Sequence, residues 1–213
     1  MTVRVNIAAE DELSEAVLRR MLLLVQSPVE VVASLPVKKG WQKEGGKNGY
    51  GYIRKQLPAF NAASAKMPHI VLLDLDDRAC PQAMIRDWLE SKPHSPQLLV
   101  RVAVREVEAW LLADQQGMAE YLHIRAKCIP ANPERLKDPK RFVVRLAARS
   151  RSKEIRESLA PAAGTRSRVG PYFTRSLIGF VRNFWDLDEA VKHSESLARA
   201  VKSLRQFKPQ GAL

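Results

Sequence analysis

The chain has 213 residues, 46% of them apolar, which suits one large domain, or one domain with an extension, that buries a real core. No run approaches the roughly 18–20 apolar residues that span a bilayer, and Arg4 followed by Glu10, Asp11 and Glu12 leaves no room for the apolar stretch of a secretory leader. Lys and Arg number 35 against 23 Asp and Glu, a formal charge of +12, while Cys80 and Cys128 alone make no disulfide framework and fit a reducing cytoplasm.

Residues 3–8 alternate and are β-branched, so they predict a strand. The acids at 10–15 then lead into Ala16, Val17, Leu18, Met21, Leu22 and Leu24, spaced for an amphipathic helix. Residues 29–35 predict a second strand. Residues 38–51 hold five of the ten glycines among lysines and read as a basic loop. A helix interrupted near Pro58 is expected over 52–65, a buried strand over 69–73, and a helix with Pro in its first turn over 81–89. Residues 98–104 predict a last strand, feeding a helix-like run at 105–114. Strands alternating with helices imply an α/β fold: a mainly parallel, Rossmann-like sheet flanked by helices. Beyond about 115 the strand signal stops. Helices are expected from 133, over 139–149, 171–184 and 194–207, with a loop at 161–170. The chain therefore divides into an α/β core at 1–115 and a helical, basic extension at 116–213, packed on the core or forming a cap.

Three predicted strands deliver acids to their C-terminal ends: Glu10 with Asp11 and Glu12, Asp74 with Asp76 and Asp77, and Glu106 with Glu108 further on. Open α/β sheets bind ligands at that edge. Carboxylates crowded there repel unless they share protons or hold a cation, and a hard ion such as Mg²⁺ suits oxygen donors. Asp74 and Asp76 share a side if strand geometry persists, because side chains alternate with a period of two. Asp77 is better read as a turn residue. The four His are scattered and neither CxxC nor HExxH occurs, so zinc is not expected.

A Glu ending the first strand, followed by Asp-x-Asp ending a later one, resembles the Toprim pattern of topoisomerases, primases and OLD-family nucleases. The stretches AAEDELSEAVLRRML, HIVLLDLDDRACP and VREVEAWLLAD are most similar to an uncharacterised, OLD-nuclease-related Toprim family of bacterial proteins that often neighbour ATPases in defence or repair loci. The resemblance covers about residues 1–115. It implies a Toprim-like fold and a Mg²⁺- or Mn²⁺-dependent phosphodiester hydrolase. Glu10 would bind metal or act as base, Asp74 and Asp76 would be metal ligands, and Glu106, or alternatively Glu108, a further acid. Asp11 stands where many Toprim sequences have Gly, and Ser14 where OLD-type nucleases often carry a second Glu. A reduced ligand set opens a second reading, a non-catalytic Toprim-like module that partners an ATPase. A phosphatase with an Asp-x-Asp nucleophile ranks last, because the first strand ends in Glu10.

About +10 of the net +12 lies in residues 101–213, where 22 Lys/Arg face 12 Asp/Glu. That asymmetry suits a polyanion such as nucleic acid. Between 135 and 156 lie nine Lys/Arg and two acids. Arg141, Arg145 and Arg149 recur at i, i+4 and i+8, one slowly turning helical stripe that can track phosphates, with Phe142, Val143 and Leu146 facing inward. Lys140 reads first as a surface lysine, with a scissile phosphate within its reach as the alternative. The glycine-rich loop is not a P-loop: Gly46 occupies the lysine position, and Asn48 follows Lys47. Trp41 and Tyr50 are candidates for stacking on unpaired bases. Trp110, Leu111 and Leu112 are expected in the core.

Overall fold

The N-terminal alternation forms strand β1 (Val3–Ala9), whose Val5 and Ile7 are wholly buried. The structure of the protein, a computed structural model, describes residues 2–34 and 49–210. It divides into two units, Met1–Val102 with Ala200–Leu213, and Ala103–Arg199.

In the first unit β1 is followed by α1 (Glu12–Leu24), β2 (Val29–Ser34), α2 (Gly49–Ala63), β3 (His69–Asp74) and α3 (Pro81–Trp88), and the last strand is β4 (Leu98–Ala103). The four strands form one all-parallel sheet in the order β2-β1-β3-β4. Val3 pairs with Val29 on one side of β1, and Ile7 with Ile70 on the other. The expected α/β architecture is present, with the sheet flanked by helices and further helices towards the C-terminus. Five consecutive residues of β3, His69 to Leu73, are buried, as a central strand covered on both faces requires. Each fully buried aliphatic side chain there contributes about 1.5–3 kcal/mol.

Helix α1 starts because Asp11 caps it, its carboxylate accepting the Ser14 N–H at 2.8 Å. Helix α2 runs through Pro58 without the interruption expected there. Ile53, Leu57 and Phe60 form its buried stripe, and that burial outweighs the roughly 3 kcal/mol that an interior proline costs. Gly49 to Gly51 open this helix rather than end a loop. Trp41 and most of the basic loop lie outside the described residues.

His69 is buried at the start of β3. Its Nδ1–H donates to the Met67 carbonyl at 2.6 Å, and its ring stacks on Phe60 with centroids 5.6 Å apart. Burial holds its pKa below the ordinary histidine value. The folded state therefore resists protonation, while the unfolded chain takes a proton below about pH 6.5. Stability of the first unit is expected to fall as pH drops below that value. Urea midpoints between pH 7 and 5 check this, and His69→Gln should flatten the dependence.

The second unit is helical: α4 (Val107–Ala113), α5 (Gln115–Tyr121), short 3-10 turns at Ala126–Cys128 and Pro133–Arg135, then α6 (Pro139–Ala147), α7 (Lys153–Leu159), α8 (Phe173–Asn183), α9 (Leu187–His193) and the start of α10 (Glu195–Gln206). Among the described residues no strand follows Ala103. The helix expected from residue 133 is only a three-residue turn, since Asn132 and Leu136 on either side are extended. The division of the chain falls after Val102 rather than near 115, because α4 packs against α6, α9 and the Pro133 turn, and residues from Ala200 onward go with the first unit.

All seven residues of α4 are buried, including Trp110 in the core as expected. The Trp110 indole N–H donates to Ser196 Oγ at 2.7 Å, and Ser196 Oγ in turn donates to Glu134. Ser196 Oγ also accepts the Val104 N–H at 3.1 Å. Removing this hydroxyl strands two donors, each worth about 1–3 kcal/mol when left unsatisfied. Ser196→Ala is expected to lower the stability of the second unit by about 2 kcal/mol, read from urea unfolding followed by tryptophan fluorescence.

Candidate functional site

Two groups of charged residues stand out, one in each unit. The first lies at the carboxyl edge of the sheet. The chain passes from β1 outward to β2, then returns to the other side of β1 as β3. Strand order thus reverses between β1 and β3, and their carboxyl ends border the crevice where open α/β sheets take ligands. Glu10 directly follows β1 and Asp74 is the last residue of β3. The pairing of Ala9 with Leu72 brings these ends side by side, and Glu10 Oε1 accepts the Asp74 N–H at 3.1 Å.

Asp76 does not follow the expected alternation. The strand ends at Asp74, Leu75 is buried, and Asp76 takes a left-handed conformation with φ of 52° on an exposed turn. Aspartate tolerates that conformation better than most residues. Once the backbone leaves strand geometry, a period of two no longer relates the two side chains. Asp77 lies in the same exposed turn, as its sequence context suggests.

Glu106 belongs to the second unit. The chain leaves β4 through Arg105, left-handed at φ of 64°, and Glu106 is the extended residue that opens α4. Its Oε2 accepts the Lys140 N–H at 2.9 Å, and Asp138 Oδ1 accepts the Arg141 N–H at 2.7 Å. Two carboxylates thus cap the first turn of α6, whose dipole favours them. Glu108 is 1% exposed, with Oε1 at 3.3 Å from the Lys140 ammonium, whose side chain is 41% exposed. Lys140 is therefore tied by its backbone to one glutamate and by its side chain to the other.

Glu106, Asp138, Lys140, Arg141, Arg168 and Val169 line a pocket of about 470 Å³. Arg141 and Arg145 are exposed on α6, and the Arg145 guanidinium lies 5.3 Å from the centroid of the Phe142 ring. Arg149 is exposed beyond the end of the helix, so the regular stripe covers two arginines and the third follows in a turn. Val143 and Leu146 face inward as expected, and Phe142 is half-buried beneath Arg145. Sequence reasoning missed Arg168, which sits in an irregular loop. It did not foresee the burial of Glu108; a lone acid inside VEAWLLA, otherwise wholly apolar, is the signal that points to it.

No family model matches this sequence, and no curated protein or solved structure is significantly similar to it. No helix among the described residues is long and apolar enough to cross a membrane. Among the same residues no group of three or more His, Cys, Asp and Glu is gathered as a metal cluster. Glu10 and Asp74 form a smaller set of hard oxygen donors. That set fits Mg²⁺, which keeps several waters and binds through one or two carboxylates.

Proposed function

We propose that this chain is a Toprim-like, metal-dependent phosphodiester hydrolase that acts on nucleic acid. The observation that carries this reading is the juxtaposition of Glu10 and Asp74 at the strand-order reversal, joined by the Glu10 Oε1 to Asp74 N–H bond. Glu10 and Asp74 would hold Mg²⁺ or Mn²⁺, with Asp76 entering the shell if its turn rearranges. A divalent cation, if held there, would supply an acidified water and offset charge on a phosphoryl oxygen. Glu10, held by the Asp74 N–H, would bind that metal or, in the alternative, take a proton from the attacking water. The basic surface of the second unit, with Arg141, Arg145 and Arg149, would hold the polyanion.

Plasmid nicking tests this reading. Parent protein is expected to nick DNA with Mn²⁺, or to cleave RNA, and chelation to stop it. Replacing Arg141, Arg145 and Arg149 by Ala should lower the slope of log affinity against log salt by about three, at roughly 0.9 per phosphate contact on duplex DNA. An unchanged slope would put the binding surface elsewhere.

A second reading has its own observation. Asp76 takes an exposed, left-handed turn of its own, so Glu10 and Asp74 are the pair that the strand ends bring together. A pair this small favours a Toprim-like module that binds metal or nucleic acid for a partner ATPase without cleaving. Absence of cleavage of DNA and RNA by the parent, with such an ATPase present, would select it.

A further inference from the structure

The first turn of α6 and the loop carrying Arg168 enclose a pocket whose charges are arranged unevenly. We propose that this pocket binds a phosphodiester group of a nucleic-acid chain, with Lys140 and Arg168 as the groups that touch its non-bridging oxygens. The proposal rests on the nucleic-acid reading above but not on cleavage. A volume of about 470 Å³ lies within the roughly 300–1,000 Å³ of small-molecule pockets, so it has room for a phosphate together with its attached sugars.

Cations reach the pocket from two separate segments, Lys140 and Arg141 from α6 and Arg168 from the loop before α8. Its acids are engaged by the protein itself. Asp138 accepts the Arg141 N–H and Glu106 accepts the Lys140 N–H, so both carboxylates are drawn to the end of α6. Glu108 lies behind the Lys140 ammonium and is too buried to meet a ligand. Arg141 and Arg168 are exposed, and Lys140 keeps two-fifths of its side-chain surface. The outward-facing charge is therefore positive.

The balance also selects the kind of anion. Lys140, Arg141 and Arg168 line the pocket against Glu106 and Asp138, three cations to two carboxylates. A triphosphate would find an excess of only one positive charge against its own three or four. A phosphodiester carries one negative charge and offers two oxygens to a guanidinium fork. Exposed Arg145, one helical turn beyond Arg141, continues the same basic surface toward a neighbouring phosphate.

Fluorescence anisotropy in the presence of chelator tests this with short single-stranded oligonucleotides that carry either a 5′-hydroxyl or a 5′-phosphate. Parent is expected to bind both alike. Arg168→Ala, in an exposed loop and so expected to fold normally, should weaken both and lower the salt slope by about 0.7. A stronger grip on the 5′-phosphate that Arg168→Ala abolishes would make a terminal monoester the ligand and overturn the diester assignment. No binding by the parent, or an unchanged slope in a folded Arg168→Ala, would overturn the pocket itself. Arg168-dependent binding by a parent that nicks nothing with Mn²⁺ would keep the pocket and remove the hydrolase; nicking with Arg168-independent binding would do the reverse.

Discussion

Asp74→Asn is expected to abolish Mn²⁺-supported nicking while leaving the fold intact. Asn keeps the size of Asp and its backbone N–H, so the bond from that N–H to Glu10 Oε1 survives the change. What is lost is one of two negative charges at the end of β3 and β1. Changes to outer-shell partners alone cost roughly 10–100-fold at metal sites, and under the proposed reading Asp74 would be a direct ligand. The expected fall is therefore at least about 100-fold. Without metal, stability should change little, because Asn keeps the backbone bond to Glu10. The metal-free variant should melt no lower than the metal-free parent. Equal nicking by both preparations would identify a contaminant and remove the hydrolase reading. A variant that melts well below the parent would assign Asp74 to the fold instead.

How much of this was legible in the sequence depends on how local each cause is. The alternation of residues 3–8 and the unbroken apolar run at 69–73 define β1 and β3, since one period and one length suffice. The Glu10 and Asp74 pair follows from the strand ends together with a parallel sheet, and both were readable. Asp76 was not, because its position depends on where β3 stops, and Leu75 ends the strand by turning into the core. Pro58 reads locally as a break, yet α2 continues because its buried face is fixed by the sheet rather than by its own sequence. The link from Glu134 through Ser196 to Trp110 joins residues separated by 62 and 86 positions, and no local pattern announces it. The pocket beside α6 combines both cases: Lys140 and Arg141 lie in a visible basic stretch, whereas Arg168 comes from a loop without periodicity.

The Glu108 and Lys140 pair gives the largest expected effect on stability, and its two halves should respond unequally. Glu108 is almost wholly buried, while Lys140 keeps 41% of its side-chain surface. Removing one partner of a buried ion pair costs about 3–5 kcal/mol, chiefly because the other charge stays buried without compensation. Lys140→Met removes the ammonium 3.3 Å from the buried Glu108 carboxylate and is expected near the low end of that range. Glu108→Gln removes a charge beside an ammonium that already reaches solvent, and its buried amide should cost about 1–3 kcal/mol. Urea unfolding of both variants at pH 7 measures this. Equal losses in the two variants would show that Glu108 does not depend on Lys140 for compensation, and that other neighbours satisfy it.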